Sequence, residues 1–323
     1  MSTENEITPE TNIYRYMSLV RFIQLLEEGF FISTANNFED AYDCKIPKFD
    51  TIRDSDVSQR KVDFDNKLAG LTLFKDIKAL IEKSIASFRK RFGGATRNSE
   101  LTVEKIEAFA NKLSACDSDK QEVSTELFCI LEQETYKSKL ISCWCLNPEE
   151  SYLMWKTYAA QGVRIGTTIG KFQGAVEKHA KWAQEQLDKN TGKVFENGEV
   201  YNGFVEIVSK KKVVYCPLPN FNDKDHENNS PDDFLFKKLS AYEGEQEYRF
   251  VIGSKRTDLC YRLQARYPTG CVIKGIFPLC IIDEICLSPL LNNNERESIT
   301  RFLERYAPCI KHKLKDSILP INL

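Results

Sequence analysis

Helical and strand-like spacings occur in this chain in blocks that do not alternate regularly, and that irregularity narrows the folds open to it. From about residue 54 to 136 apolar residues recur at i, i+3, i+4 and i+7. Ile77, Leu80, Ile81, Ile85 and Phe88 form one stripe, Val103, Ile106, Phe109 and Leu113 a second, and Leu127, Ile130 and Leu131 a third. On either side lie short β-branched and aromatic runs such as Phe30-Phe31-Ile32-Ser33 and Leu140-Ile141-Ser142-Cys143-Trp144-Cys145. Regular strand–helix alternation would give a parallel α/β sheet; its absence predicts an α+β fold, a mixed and mostly antiparallel sheet with a helical insertion at about 54–136. A flexible tail over 1–12 and a single domain over 13–323 complete the expected organisation.

The opening unit is the most legible. Asn12 to Tyr16 reads as a strand, Ser18 as a helix cap, and Leu19, Phe22, Ile23 and Leu26 as one buried helical face stopped by Gly29. A second strand, Phe30 to Ser33, runs into a polar turn holding Asp40, Tyr42 and Asp43. Further along, a helix is expected from Glu149 to Ala160, a strand at Val163 to Thr167 and a long helix from Lys171 to Leu187. Strands at Phe204 to Val208 and Val213 to Tyr215 would be joined by a lysine-rich turn. A short helix near Phe234 to Ser240 would lead to an acidic strand, and a final helix would cover Asn293 to Arg305.

The 45 basic and 47 acidic residues give a net charge of -2, so the overall field does not favour a polyanion. The runs Arg89-Lys90-Arg91 and Lys210-Lys211-Lys212 are local exceptions. No apolar stretch is long enough to span a membrane and the N-terminus is polar and acidic, which predicts a cytoplasmic protein without membrane attachment. The 11 cysteines lack a repeated Cys-x-x-Cys spacing and read as free thiols, and with 3 histidines no zinc-ligand pattern is present.

The segment Glu245-Gln246-Glu247-Tyr248-Arg249 carries the strongest chemical signal. On a strand, residues i and i+2 share a face, so Glu245 and Glu247 would project together. Two carboxylates held close raise each other's pKa or recruit a cation, a hydroxyl or a sugar, which is what polar-substrate sites require.

Ordered blocks resemble one bacterial family, domain of unknown function 2971. They are Tyr14-Arg15-Tyr16-x-Ser18-Leu19, Ile32-Ser33 with Phe38, Asp40 and Asp43, Ser142-Cys143-Trp144, Met154-Trp155-x-x-Tyr158, Val214-Tyr215, Glu245-x-Glu247-Tyr248-Arg249 and Ile285-x-Leu287-Ser288-Pro289. The order Tyr14-Arg15, Ser33-Thr34, Glu245-x-Glu247 is also similar to the arginine, serine, glutamate pattern of ADP-ribosyltransferases. That likeness implies NAD as substrate and a transferase acting on an unknown acceptor, protein or nucleic acid, in a defence or toxin effector. It implies that Arg15 holds the pyrophosphate or ribose through charge-assisted bonds and that Ser33 fixes the second carboxylate or the nicotinamide ribose. Glu247 would stabilise the oxocarbenium-like cation, Glu245 would orient the acceptor, and Tyr16, Tyr42 or Trp155 would stack on nicotinamide.

Two other classes fit the same residues. Asp40, Asp43, Glu245 and Glu247 have the chemistry of a Mg²⁺ or Mn²⁺ site in a nuclease or phosphohydrolase. A non-enzymatic sensor would instead use the helical insertion as a partner surface. Each residue also has a purely structural role open to it, Arg15 as an ion-pair partner of Glu247 or Asp40, and Trp144, Met154, Trp155 and Tyr158 as a packing stripe.

Overall fold

The computed structural model describes residues 6–35, 38, 55–69, 71, 75–83, 103–115, 120–137, 139–189, 205–217, 231–254, 270–273, 279 and 281–319. Asp40, Tyr42, Asp43 and the Arg89-Lys90-Arg91 run lie outside them. The α+β expectation holds, and the sheet is mixed and mostly antiparallel.

The chain opens with β1 (Asn12–Ser18), α1 (Leu19–Glu27) and β2 (Phe30–Thr34). The Ser18 hydroxyl caps α1 by accepting from the Arg21 amide at 3.4 Å. Phe22 and Leu25 form the buried face. Gly29 ends the unit at φ 121°, a left-handed conformation that side chains resist. The helical insertion follows as α2 (Ser55–Ala69), α3 (75–83), α4 (Val103–Ala115) and α5 (Lys120–Lys137). Then come β3 (Leu140–Cys145), α6 (Tyr152–Tyr158), β4 (Gly162–Thr168) and α7 (Ile169–Lys189). The expected Glu149-to-Ala160 helix is shorter because Ser151 caps it, accepting from the Met154 amide at 3.4 Å.

The second half holds β5 (Val205–Lys212), β6 (Val214–Cys216), a 3-10 turn over Pro231–Phe236, β7 (Lys237–Leu239), another over Ser240–Glu245, and β8 (Glu247–Ser254). Next are β9 (Gly270–Ile273), β10 (Glu284–Leu287), α8 (Asn293–Tyr306), α9 (Pro308–Lys311) and β11 (Leu314–Asp316). Lys210 to Lys212 belong to β5, paired with β8, and do not form the turn that their charge suggests. In place of the helix near Phe234 to Ser240 stand the first 3-10 turn and β7, which pairs in parallel with β6 as a separate two-stranded sheet.

The large sheet runs β11-β10-β4-β1-β3-β2-β9, with β8 along the other edge of β3 and β5 beyond it. Strand β3 pairs with β8 over its whole length, from Leu140↔Ile252 to Cys145↔Glu247. Its opposite edge is shared. β1 meets it at Tyr14↔Cys145, and β2 meets it at Ser33↔Ile141 and Thr34↔Leu140. Between those two contacts the edge at Ser142, Cys143 and Trp144 has no partner strand among the described residues, so the sheet forks there.

Both sheet faces are covered. On one, Phe30, Trp144, Phe172 and Phe250 centre a core that includes Phe22, Ile165, Ile252 and Leu303 from α1, β4, β8 and α8. The Trp144 and Phe30 rings stack at 5.6 Å, with Phe172 edge-on to both. On the other face Ile141 and Val251 pack with Ile77, Ile81, Leu113 and Leu127 of the helical insertion. The described parts of the stripes read from the sequence are thus spent on docking the insertion to the sheet, while Ile85 and Phe88 lie outside the described residues. Among the described residues, no helix is long and apolar enough to cross a membrane.

Candidate functional site

A cleft of about 480 Å³ opens at the fork in the sheet, lined by Arg15, Tyr16, Ser33, Lys238, Glu245 and Glu247 among others. The volume is that of a small-molecule site, which runs to roughly 300–1,000 Å³. Arg15, Ser33, Tyr16, Glu245 and Glu247, chosen from three separate stretches of sequence, therefore share one cavity.

Glu245 and Glu247 do not alternate on a strand. Glu245 ends a 3-10 turn, Gln246 adopts φ 44°, and β8 begins at Glu247. Gln246 is the one non-glycine residue at positive φ among the described residues. Its left-handed geometry turns the chain so that the two carboxylates converge, and such strain is retained where surrounding contacts enforce it. Two of these are the Leu146 amide donating to the Gln246 carbonyl at 2.9 Å and the Gln246 amide donating to Glu243 at 3.1 Å.

The pair is bridged by a lysine that drew no attention in the sequence. Lys238 Nζ lies 2.6 Å from Glu245 Oε2 and 3.0 Å from Glu247 Oε1. It is presented by β7, where it sits opposite Tyr215 of β6. Arg249 Nε donates to Glu247 Oε2 at 2.6 Å, and its Nη1 to the Leu235 carbonyl at 2.9 Å. Tyr158 donates to Glu245 Oε1 at 2.8 Å, and the Glu247 amide donates to the Tyr215 hydroxyl at 2.8 Å.

The two carboxyls are pushed in opposite directions. Burial raises Glu245, reinforced by its hydrogen bond to Glu247, and the group rises to about 7 in spite of Lys238. Burial opposes ionisation of Glu247 too, but the Arg249 charge, the bond from Glu245 and Lys238 outweigh it, and Glu247 is held well below the usual range. One proton shared between two close carboxyls is the expected outcome. Burial and the Glu245 charge raise the Tyr158 phenol, which therefore stays a donor.

Arg15 pairs with neither carboxylate. Strand alternation puts it on the Ile13 and Met17 side of β1, and it reaches the cleft because the sheet parts beside it. Its guanidinium lies 4.7 Å from the Phe30 ring centre. Nη1 is enclosed and has no hydrogen-bond partner among the described residues. Burial lowers its pKa, and among the groups that act on it, Arg21 lowers it further. Ser33 donates to the Thr34 carbonyl at 3.2 Å at the end of β2.

The aromatic candidates separate. Tyr16 lines the cleft and accepts from the Ser151 amide at 3.2 Å. Trp155 does not line it: it is fully buried, edge-on to Tyr16 at 4.9 Å, and donates to Glu150 at 2.9 Å. It supports Tyr16 and has no face free for stacking. Tyr42 lies outside the described residues. Tyr158, whose spacing suggested packing, is 43% exposed and bonds Glu245, while Phe38 and Tyr242 also line the cleft. The spacing of Tyr158 relative to Trp155 could not separate the two, because α6 is short and buries one side only.

For the metal alternative, the ammonium of Lys238 already sits between Glu245 and Glu247, where a cation would bind. No group of three or more metal-ligating side chains occurs among the described residues, and Asp40 and Asp43 lie outside them. Cys129, Cys143, Cys145, Cys216, Cys286 and Cys309 form no disulfide among the described residues. No family model, curated protein or solved structure matches this chain.

Proposed function

We propose that the chain is an ADP-ribosyltransferase-like enzyme that breaks the nicotinamide–ribose bond of NAD and passes the ADP-ribosyl group to an acceptor. The observation that carries this reading is Arg15, whose buried Nη1 has no hydrogen-bond partner among the described residues, in one cleft with Ser33 and with Glu247, which Arg249 and Lys238 hold toward its ionised form. A guanidinium with a buried donor left open fits an anionic ligand group, and the pyrophosphate supplies one. Glu247 accepts from the ribose 2′-hydroxyl and faces the positive charge that develops at C1′. The C1′–N bond breaks with its electron pair going to nicotinamide. The acceptor's lone pair then closes on C1′, and its proton passes to Glu245. Tyr16, Phe38 and Tyr242 are among the aromatics that line the cleft beside Glu245 and Glu247, and the nicotinamide ring stacks on one of them.

The test is nicotinamide release and label transfer from NAD by the purified protein in a cell lysate. Glu247→Gln and Arg15→Met, both checked for folding by circular dichroism, serve as comparisons. Release that falls about 100-fold or more in Glu247→Gln supports the reading. Wild-type protein that neither turns over NAD nor binds it overturns it.

A further inference from the structure

Glu247 and Glu245 differ in what faces them, and the difference lies in the side chains around Lys238. Glu247 takes the Lys238 ammonium on one oxygen and the Arg249 guanidinium on the other. Glu245 takes Lys238 on one oxygen and the neutral Tyr158 phenol on the other. One carboxylate is clamped by two cations, while its neighbour shares a single cation.

We propose that Lys238 is the positioning residue of this cleft, fixing Glu247 as the standing anion and leaving Glu245 as the carboxyl that takes up and releases a proton. The assignment deepens the transferase reading, in which Glu245 receives the acceptor's proton. Its geometry is built in. Lys238 is buried on β7, its ammonium lies 4.6 Å from the Tyr242 ring centre, and β7 is held by parallel pairing with β6. Among the described residues, Tyr158 on α6 and Lys238 on β7 bond Glu245, Tyr215 on β6, Cys145 on β3 and Glu247 on β8 interact with it electrostatically, and Tyr14, Arg15 and Tyr16 on β1 and Tyr242 on its own turn line the same cleft. Of these, Lys238 is the cation that bonds Glu245 directly, so its charge decides whether the Glu245 proton can leave near neutrality. Without it the proton stays on Glu245, and the cleft loses its base.

The experiment follows the carboxyl carbons of the full chain labelled with ¹³Cδ-glutamate across a pH series, with resonances assigned by their loss in Glu245→Gln and Glu247→Gln. In the wild type, Glu245 should titrate near neutrality while Glu247 stays ionised. Lys238→Met should raise the Glu245 midpoint by about 1–3 pH units, and Lys238→Arg should leave it within about half a unit. Tyr158 bonds Glu245 and not Glu247, so Tyr158→Phe should raise the Glu245 midpoint more than that of Glu247, and this second variant tests the assignment even if Lys238→Met does not fold. Lys238→Met with an unmoved midpoint, or Tyr158→Phe moving Glu247 as far as Glu245 or moving neither, overturns the proposal. These spectra need no NAD, so their failure is distinct from failure of the NAD reading. Where turnover is present, label transfer by Lys238→Met should be lost at neutral pH and regained as the pH is raised, and a merely structural role would give no such recovery.

Discussion

Replacing Arg249 by methionine isolates the energetic weight of the carboxylate cluster. The substitution keeps most of the apolar stem and removes the guanidinium from a site where the side chain is fully buried. Its bonds to Glu247 at 2.6 Å and to the Leu235 carbonyl at 2.9 Å go with it. Two buried carboxyls are then left to share Lys238. Removing one partner of a buried ion pair costs about 3–5 kcal/mol, a large part of the 5–15 kcal/mol that holds a typical domain folded. With a urea dependence of roughly 3 kcal/mol per molar, the unfolding midpoint should fall by roughly 1 to 1.7 M.

The pH dependence of that loss tests its cause. In the variant the folded-state pKa of Glu247 rises, because one of the two cations that hold it down has gone. The deficit is therefore full well above the new pKa and shrinks as pH falls through it and Glu247 is protonated. The double variant Glu247→Gln/Arg249→Met should cost less than the sum of the singles, by about 0.5–3 kcal/mol, since the second change removes the orphaned charge. As a control, Lys171→Met breaks a half-exposed pair with Asp283 and should cost no more than about 1 kcal/mol. A loss for Arg249→Met below about 1 kcal/mol, or one of equal size at pH 5 and pH 8, would refute the account of Glu247 as an anion fixed by buried cations.

Glu245 has the opposite linkage: its folded pKa of about 7 exceeds its unfolded value, so its contribution is full below about pH 4 and is lost as pH rises through about 7. Glu245→Gln should remove a decline of about 1.4 kcal/mol per pH unit within that window, read from urea titrations at pH 5, 6 and 7.5. Gly162→Ala would place a Cβ 2.1 Å from the Met17 carbonyl oxygen, a backbone atom in the paired strand. It should cost about 1–3 kcal/mol or more by thermal unfolding, and an unchanged transition would contradict the close approach of β1 and β4. Gln246→Gly relieves a left-handed residue and should stabilise the fold by up to about 1 kcal/mol in the same measurement, while loosening the hold on Glu245 and Glu247.

What could be read from the sequence divides along a physical line. The strand–helix–strand opening was legible because Ser18, the Phe22 stripe and Gly29 act through neighbours a few residues away. The helical insertion was legible because its stripes face a single surface. Glu245 and Glu247 do lie together, but not by the geometry expected of them: alternation assumes extended backbone, and the left-handed Gln246 lies between them. Lys238 was invisible because nothing local marks a lysine in a three-residue strand as buried, and its burial follows from the pairing of β7 with β6. Trp155 and Tyr158 show the same limit on one helix, since periodicity assigns both to packing although only Trp155 packs. The fork at β3 sets the cleft's position, and it depends on β1 and β2 sharing one edge of a strand more than a hundred residues away. Candidate chemistry was therefore visible residue by residue. What binds the two carboxyls together, and divides their protonation, is a tertiary cation that no spacing rule supplies.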